Sequence, residues 1–383
     1  MHRRTSVDDS SQPNSYAMAG VDERREQHAF RDFMLPYLKQ TYGFPRMAKV
    51  GFGGGDEGFF SSLLTLGNIG IAVTTDGIGT KLLLARESGS YYRVAVDCVA
   101  NNVNDLLCVG AQPIALFDYI AVDRIDEHVM ESIARGLRDG AEAARVAIPG
   151  GEIAQVGSML ASHEDGLPVI DLVGTAIGVV DLTCESFSAG WGPLSPENVR
   201  PDDSLIGVAS SGLHSNGYSL ARKALFDDAR LTKTSLLREG QTVLDALLES
   251  TVIYVGAVEA LKAAGVDVGG LVHVSGGGLL NVGRLGDRYS YVLDELPSTP
   301  DVFNLIRDAG NFSPQEMYAT FNMGVGFIAV VPRDQEIRAI TALMESGYGA
   351  SRIGRVASEP GGKVHLVEHG LVGHDERFAR TGD

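Results

Sequence analysis

The sequence predicts an α/β or α+β chain of two domains. Long apolar segments alternate with amphipathic ones, a Gly- and Pro-rich stretch interrupts this pattern near the middle, and 383 residues suffice for two domains of ordinary size. The strongest strand candidates are residues 69–73, 114–122 and 170–180. Because they are apolar nearly throughout, we expect them to form a sheet buried on both faces.

The same pattern predicts the domain boundaries. Residues 1–22 lack the apolar core of a signal peptide, and we expect them to be disordered. An amphipathic helix over residues 23–42 then opens an N-terminal domain, 23–180. A linker at 181–203 carries the glycines, the prolines and Trp191. A C-terminal α/β domain, 204–370, and a tail, 371–383, complete the prediction.

Composition excludes some classes of function. The formal net charge is −17, so we expect no binding to nucleic acid or to anionic membranes, which require a basic surface. No apolar run reaches the roughly 18 residues of a membrane span. The cysteines, Cys98, Cys108 and Cys184, are odd in number and lack metal-type spacing. They indicate a reducing compartment, and we expect the cytoplasm.

A phosphate and metal loop is predicted directly after the first strand candidate. There the chain carries, within six residues, Asp76, Gly77, Gly79, Thr80 and Lys81. Glycines let the backbone approach an anion, the carboxylate can hold Mg²⁺, and the lysine supplies positive charge. The alternative is an ordinary glycine-containing turn after a strand.

The segment 94–107 predicts a short strand that runs into a helix. Asp97, Asn101 and Asp105 step by four residues, so they share one helix face. Neighbouring carboxylates repel unless a cation or a donor-rich ligand joins them, and hard oxygen ligands suit Mg²⁺. The alternative is that Asp97 caps an ordinary solvated helix, which leaves Asn101 unexplained.

Four further glycine-containing loops occur next to apolar strand candidates, at residues 148–155, 209–222, 273–278 and 320–326. They contribute further candidate site residues, namely Gly151, Glu152, Ser211, His214, Asn216, Gly276 and Gly277. Backbone N–H groups at a helix start bind phosphate or a polarised amide oxygen. A lone histidine is more often structural, but several such loops together indicate a surface built around a phosphorylated ligand.

In this order the motifs resemble the phosphoribosylformylglycinamidine cyclo-ligase family, also called AIR synthetases, from residue 16 to about residue 364. The aspartates and the glycine pair alone would fit the wider superfamily. That superfamily includes the amidotransferase of the preceding purine step, selenophosphate synthetase, thiamine-phosphate kinase and a hydrogenase maturation protein. Segments 210–222 and 316–326 narrow the resemblance to the cyclo-ligase branch.

The resemblance implies an ATP-dependent ligase of purine biosynthesis. With Mg²⁺ and ATP, it would activate the formyl amide oxygen of formylglycinamidine ribonucleotide, close the imidazole ring and release ADP and phosphate. It also implies a two-domain fold, in which the N-terminal sheet domain binds ATP and metal and pairs with a twofold mate as a barrel-like homodimer. The C-terminal α/β domain would close the cleft.

The resemblance also implies roles for individual residues. Metal and phosphate ligands would be Asp76, Asp97, Asp105 and Glu152; Asp76 and Asp97 would also serve catalysis. Lys81 would supply phosphate charge, and His214 with Asn216 would act on the reacting amide. Further nucleotide contacts would come from Gly77, Gly79, Thr80, Asn101, Gly151, Ser211, Gly276 and Gly277.

This chain departs from the family pattern where relatives usually carry basic residues, at Ala17, Val252, Gly256 and Ala319. Cations that remain as candidates to hold a ribose 5-phosphate are Arg222, Lys223 and Arg284. Two alternatives therefore stay open: a paralogous ATP-dependent amide-activating cyclase or kinase with another substrate, and a non-catalytic nucleotide-binding subunit. The retained carboxylates argue against the second, because a scaffold has no need of mutually repelling charges.

Overall fold

The computed structural model describes residues 23–44, 49–52, 60–160, 167–374 and 377–382. The segment 1–22, predicted to be disordered, lies outside them. None of the helices in the described part of the chain combines the length and the apolarity that a membrane span requires. The fold is mixed α/β, as predicted, and is built around two sheets.

A helical segment opens the described chain. It comprises α1 (Glu23–Ala29), a π-helical turn (Phe30–Met34), α2 (Leu35–Gln40) and a short 3₁₀ turn (Thr41–Gly43). Leu35 is buried, whereas the apolar side chains that recur at helical spacing are exposed: Phe30, Phe33, Met34, Tyr37 and Leu38. The predicted amphipathic helix is present.

The N-terminal sheet has six strands in the order β1, β2, β3, β6, β4, β5. Their bounds are β1 (Lys49–Phe52), β2 (Ser62–Leu66), β3 (Ile69–Gly77), β4 (Gln112–Val122), β5 (Ala147–Gln155) and β6 (Ile170–Asp181). The accompanying helices are α3 (Lys81–Ser88), α4 (Tyr92–Cys108) and α5 (Glu127–Ala144). Among the described strands of this N-terminal sheet, only β4 and β5 pair in parallel.

Helices cover one face of this sheet. Alternate residues of β6, such as Leu172 and Ala176, are buried against α4. Gly136 lets α5 approach α4 closely, because a Cβ there would collide with the carbonyl of Tyr92. The opposite face keeps apolar side chains partly exposed, among them Phe117 and Tyr119. This face is therefore uncovered in a single chain, and its burial stays a prediction that depends on the expected twofold mate.

The C-terminal sheet has eight strands in the order β10, β12, β7, β13, β11, β14, β15, β16. Their bounds are β7 (Ser204–Ala209), β10 (Gly270–His273), β11 (Ser290–Leu293), β12 (Val325–Val331), β13 (Ala350–Ala357), β14 (Val364–Leu366), β15 (Leu371–His374) and β16 (Arg377–Arg380). A hairpin of β8 (Leu236–Arg238) and β9 (Gln241–Thr242) stands apart. All residues of β12 are buried, which makes it the centre of this core.

Helices pack around this second sheet and carry the loops between its strands. They are α6 (Tyr218–Arg222), α7 (Val243–Leu247), α8 (Val255–Ala263), α9 (Asp301–Gly310), α10 (Pro314–Thr320) and α11 (Glu336–Glu345). A π-helical turn (Lys223–Asp228) continues α6, and a 3₁₀ segment (Gly278–Leu285) follows β10. The glycine loops at 209–217, 274–278 and 321–324 thus connect buried strands with helices.

The predicted linker, 181–203, is held against the C-terminal domain by Lys262 of α8. The Lys262 ammonium lies over the rings of Phe187, at 3.7 Å, and Trp191, at 4.8 Å. It also donates to the carbonyls of Phe187 and Gly190. Burial lowers the pKa of Lys262 to about 8. Trp191 therefore helps to fix the connection against the C-terminal domain.

Candidate functional site

Helix α4 places the predicted oxygen-rich residues, but not as the sequence suggested. The helix already begins at Tyr92, so there is no strand at 94–96 and Asp97 lies inside the helix instead of capping it. Asp97 and Asn101 are buried, and Asp105 is partly exposed. This face of α4 packs against β3 on one side and against the C-terminal domain on the other.

Asp97 and Lys81 of the N-terminal domain form a buried ion pair at its boundary with the C-terminal domain. The Lys81 Nζ lies 2.7 Å from the Asp97 carboxylate, and both side chains are fully buried. Lys81 also donates to the carbonyls of His214, at 2.9 Å, and Glu249, at 2.7 Å. The other Asp97 oxygen accepts the Thr251 N–H at 2.6 Å.

This pair corrects the roles expected for both residues. Burial lowers the pKa of Lys81 and raises that of Asp97, while their mutual attraction opposes both shifts. The three oxygens around the Lys81 ammonium match its three N–H donors. Lys81 therefore has no donor left for a phosphate in this structure, and Asp97 is enclosed away from a metal.

The adjacent asparagines of α4 hold the Asp76 turn in place. The Asn102 Oδ1 accepts the Asp76 N–H at 2.9 Å, and its Nδ2 donates to the Asp76 and Cys98 carbonyls. The Asn101 amide lies 3.5 Å from the Gly77 carbonyl. Both amides thus bind backbone, and they fix where the Asp76 carboxylate sits relative to α4.

Asp76 and Asp105 form the acidic centre of the site. Burial, together with the negative charge of Asp105, raises the pKa of Asp76 to about 6. The Asp76 side chain nevertheless keeps open surface at the end of β3. The Asp105 carboxylate accepts from Nδ1 of His273 at 2.8 Å, and His273 ends β10 of the C-terminal domain. The two domains therefore meet at this carboxylate pair.

A second acidic position lies across the sheet. Asp76 of β3 and Asp118 of β4 pair with the same residue of β6, Gly174, so they lie in one row. Burial raises the pKa of Asp118. Its carboxylate lies against Gly151 of β5, where a Cβ would collide with it. The neighbouring Glu152 is exposed.

The four carboxylates predicted as one metal site are not assembled as such. Within the described ranges, no group of three or more His, Cys, Asp or Glu side chains is arranged to hold a metal ion. Asp97 is separated by its pairing with Lys81. Asp76 and Asp105 remain close, whereas Glu152 lies on β5, which two strands, β6 and β4, separate from β3.

His214 lies inside its loop instead of at the surface. Its ring is 1% exposed and sits beside Tyr254 and Gly326, where a Cβ would collide with both rings. The Ser211 N–H donates to Nε2 at 3.4 Å, and Nδ1 has no partner within the described residues. Burial first, and then the positive charges of His273 and Lys81, hold the pKa of His214 well below its usual value.

The neutral His214 ring therefore carries its proton on Nδ1, because Nε2 accepts. The residue itself has φ of 62°, a left-handed conformation that a non-glycine side chain rarely adopts. Its carbonyl binds both Lys81 and the Tyr218 hydroxyl. The loop is thus held by several contacts in a strained shape, with one buried donor unused.

The other glycine loops support the His214 loop. Asn322, in the loop 321–324, connects it to the His214 loop. Its Oδ1 accepts from the Ser210 hydroxyl, and its Nδ2 donates to the Gly212 carbonyl. Asn281 donates to the carbonyls of Gly276 and Gly278. Two further observations concern the predicted residues. The Thr80 hydroxyl is 3.1 Å from that of Ser219, and the residues that keep solvent exposure are Asn216, Gly277, Gly79 and Ser211.

One missing basic residue has a structural replacement. At Gly256 a Cβ would collide with the hydroxyl of Tyr348, which instead lies 3.2 Å from the Ile253 carbonyl. At Val252 the carbonyl accepts from Asn104. Ala17 lies outside the described residues, and Ala319 packs on the core from α10. The side chain of Tyr348 therefore occupies the space that a longer residue at 256 would need.

Sequence reasoning missed two residues of this site, His273 and Asp118. His273 had a signal, because it directly precedes the glycine loop 274–278 at the end of a strand. Asp118 had none, because it interrupts an apolar strand and only the sheet register places it beside Gly151 and in line with Asp76.

Two family models match the chain. Residues 56–180 match the N-terminal domain of AIR synthase related proteins, and residues 200–367 match the C-terminal domain. A phosphoribosylformylglycinamidine cyclo-ligase of Thermococcus gammatolerans is 42% identical over 350 residues, 91% of this chain and 97% of that protein. One of Methanothermobacter thermautotrophicus is 43% identical over 81% of this chain and 86% of its own length.

Solved structures show the same fold at low identity. Thiamine-monophosphate kinase of Stenotrophomonas maltophilia superposes with a TM-score of 0.55 at 18% identity, covering 88% of this chain and 96% of that one. A complex of AaThiL with AMPPCP and TMP gives a TM-score of 0.52 at 14% identity, over 87% and 92% of the two chains.

The buried pair yields a prediction about Asp97. Asp97→Asn leaves the Lys81 charge without its partner, so we expect a loss of about 3–5 kcal/mol in the free energy of unfolding. Adding Lys81→Met should restore much of it, since a buried pair can often be replaced by apolar groups. The exposed interdomain pair of Arg93 and Glu249 is the control: Arg93→Met should change stability by about 0–1 kcal/mol. Denaturant unfolding measures all three variants.

Nucleotide titration of the same variants separates the two possible roles of Asp97. The folded Asp97→Asn protein should bind an ATP analogue with Mg²⁺ as the unchanged chain does. A variant that keeps its stability but loses the Mg²⁺-dependent affinity would return Asp97 to the metal site.

The pKa of Asp76 yields a second prediction. A folded-state pKa of about 6, above the ordinary 3.8, means that the folded protein binds this proton more tightly than the unfolded chain. The unfavourable contribution is thus complete above pH 6 and is relieved as the pH falls from about 6 towards 4. Without metal, Asp76→Asn should melt at a higher temperature than the unchanged protein at pH 7.5, and this difference should shrink by pH 4.5. Equal melting temperatures at pH 7.5 would contradict the raised pKa.

Proposed function

This chain belongs to the AIR synthase related family, within which its similar relatives are phosphoribosylformylglycinamidine cyclo-ligases, and we propose that it catalyses the same reaction. It would use ATP to convert formylglycinamidine ribonucleotide into aminoimidazole ribonucleotide, with release of ADP and phosphate. The γ-phosphoryl group passes to the formyl oxygen, the amidine nitrogen attacks the activated carbon, and that oxygen leaves with the phosphate.

One observation supports this proposal most directly. The acidic pair of the N-terminal domain and the histidine-bearing segments of the C-terminal domain meet at the boundary between the two domains, where Asp105 contacts His273. We call this boundary the seam. Phosphoryl transfer depends chiefly on positioning and on charge neutralisation, and both partners must be held in line. A seam with carboxylates on one side and glycine loops with backbone donors on the other suits that requirement.

The carboxylates also fit a magnesium ion. Mg²⁺ is usually held by one or two carboxylates together with substrate phosphates, so a three-residue protein cage is not required. The repulsion that raises the pKa of Asp76 beside Asp105 is the kind that a cation relieves. We assign Asp76 and Asp105 as its ligands, with Glu152 as a further candidate. The ion would neutralise negative charge on the phosphates.

His214 is assigned to the reacting amide. Its ring is neutral and has an unused Nδ1–H donor. A preorganised donor of this kind stabilises an oxygen as negative charge develops on it. Lys81 and Asn322 would act through the loop, Lys81 by binding the His214 carbonyl and Asn322 by binding the Gly212 carbonyl. Because the ring is enclosed, substrate binding would have to open the loop around it.

The test is ATP turnover with and without formylglycinamidine ribonucleotide. We expect phosphate release that depends on the ribonucleotide, with one aminoimidazole ribonucleotide formed for each ATP consumed. His214→Ala should lower kcat about 10²- to 10³-fold, the usual effect of losing one such donor. The exposed His128 provides the control variant, His128→Ala, which should retain full activity.

Three other outcomes would contradict parts of this assignment. Release that needs ATP and another amide, but not this ribonucleotide, would indicate a paralogous enzyme. Nucleotide binding without turnover would indicate a non-catalytic subunit. A His214→Ala protein of unchanged stability and rate would remove His214 from the reaction.

The open face of the N-terminal sheet supports a second part of the proposal, a homodimer. Its partly exposed apolar side chains lie on neighbouring strands, and a twofold mate would cover them with the same surface. Closing two such curved sheets face to face would produce the barrel that the family resemblance implies.

Light scattering at micromolar concentration tests the dimer. The unchanged protein should have the mass of two chains, and Phe117→Asp should have the mass of one, because a charge on an apolar interface opposes association. Ile337, which is exposed on α11 of the other domain, provides the control: Ile337→Asp should remain dimeric. A monomeric mass for the unchanged protein would contradict the proposal.

A further inference from the structure

A cavity of about 410 Å³ lies on the seam between the domains, apart from the acidic pair. One wall is Glu87, at the end of α3. The rest of the lining belongs to the C-terminal domain and includes Arg222, the last residue of α6, and three residues after that helix, Phe226, Leu231 and Lys233. Small-molecule sites commonly have volumes of roughly 300–1,000 Å³, so this one could accept part of a metabolite.

Arg222 is the unpaired cation of this wall within the described part of the chain. Its Nε is buried and has no hydrogen-bond partner there. Lys233, which also lines the cavity, pairs with Glu87 at 2.6 Å. A buried donor without an acceptor is rare and unfavourable in native proteins. Arg222 lines the cavity, and its guanidinium has no hydrogen bond or ion pair within the described residues, so it can offer donors to an anion, whereas the Lys233 ammonium already has an acidic partner.

The structure also distinguishes Arg222 from the other two cations that the sequence offered for a ribose phosphate. Lys223 is exposed and pairs with Asp228 at 3.0 Å. Arg284 is exposed, and its guanidinium lies over the Phe60 ring at 4.8 Å. Of these three, Arg222 alone combines a buried, unpartnered donor with a cavity.

The position of Arg222 connects this cavity to the reaction site. On α6, Ser219 contacts Thr80, which follows the Asp76 turn, at 3.1 Å. Arg222 comes three residues after Ser219, so it lies on the same helix face about 4.5 Å further along the axis. Glu87 similarly lies seven residues after Thr80, two turns along α3. The cavity thus begins about one helical turn beyond a contact between two loops of the proposed site.

We propose that Arg222 binds the phosphate monoester of a phosphorylated ligand in this cavity and that, in the reaction proposed above, this group is the 5-phosphate of the ribonucleotide substrate. The assignment of the substrate rests on the proposed function. Arginine suits this role because its planar guanidinium can bind two phosphate oxygens at once. Phe226 and Leu231 supply apolar walls for the sugar.

The charges that line the cavity favour one phosphate bound next to Arg222. Glu87 is neutralised by Lys233, while Asp227 also lines the cavity and would repel an anion placed next to it. In a chain of net charge −17, an anion gains from contact with an unpaired cation. A free phosphate ion, which the reaction releases, offers the same chemistry as the ester and must be distinguished by experiment.

The test compares Arg222→Gln with a matched control, Lys223→Gln, on the next residue. Arg222→Gln should raise the KM for the ribonucleotide about 10- to 100-fold, the effect of losing a charge-assisted hydrogen bond, with kcat and the KM for ATP nearly unchanged. With the dephosphorylated ribonucleoside as substrate, Arg222→Gln and the unchanged protein should have the same KM. Lys223→Gln should match the unchanged protein with both substrates.

A calorimetric titration with inorganic phosphate distinguishes the two sources of the anion, the phosphate ester and the free ion. Phosphate binding that Arg222→Gln abolishes while KM stays unchanged would support the site and assign it to the free ion. An equal rise in KM for ribonucleotide and ribonucleoside would overturn the phosphate contact, because a merely structural defect affects both. Unchanged KM and unchanged phosphate binding would overturn the site altogether. If the unchanged protein does not turn over the ribonucleotide, the proposed function fails, and the calorimetric comparison still decides the cavity.

Discussion

The buried ion pair of Lys81 and Asp97 is the contact on which the arrangement of this site depends. It joins the residue that follows the Asp76 turn to the centre of α4, and through the His214 and Glu249 carbonyls it reaches the C-terminal domain. Removing two charges from water is unfavourable unless their remaining hydrogen bonds are satisfied. Here the lysine has three oxygen partners, and Asp97 also accepts from Thr251, so the pair binds three backbone groups of the C-terminal domain.

The other contacts of the site hold its loops in a similar way. The turn at Asp76 is held by Asn102, the His214 loop by Lys81 and Asn322, and the seam between them by Asp105 and His273. Unfavourable features are concentrated where these contacts are densest. The Asp76 carboxyl has a raised pKa, and His214 is neutral, buried and left-handed in backbone conformation. Strain of this kind persists only where the surroundings over-determine it, and it is typical of functional sites.

The departures from the family pattern have more than one physical meaning. At Gly256 the hydroxyl of Tyr348 fills the space beside the backbone, so the missing side chain is compensated locally by packing instead of by charge. The predicted linker around Trp191 is also integrated into the fold, because Lys262 donates to the Gly190 carbonyl and lies over the Trp191 ring. Positive charge for a substrate must then come from elsewhere on the seam. Arg222 is the cation that the fold leaves for it.

The sequence by itself determined the fold class, the family and the loops that would form the site, since these depend on local patterns: apolar periodicity, glycine spacing and motif order. It also placed Asp76, Asp105 and His214 in loops or helices that the structure brings to one seam. It could not decide which carboxylates remain open. Asp97 and Asp105 lie on the same face of α4, so the sequence does not distinguish them. Only the packing of the C-terminal domain buries Asp97 against Lys81 and leaves Asp105 beside His273. Asp118 enters the site through sheet register alone, because residues far apart in sequence become neighbours only when strands pair.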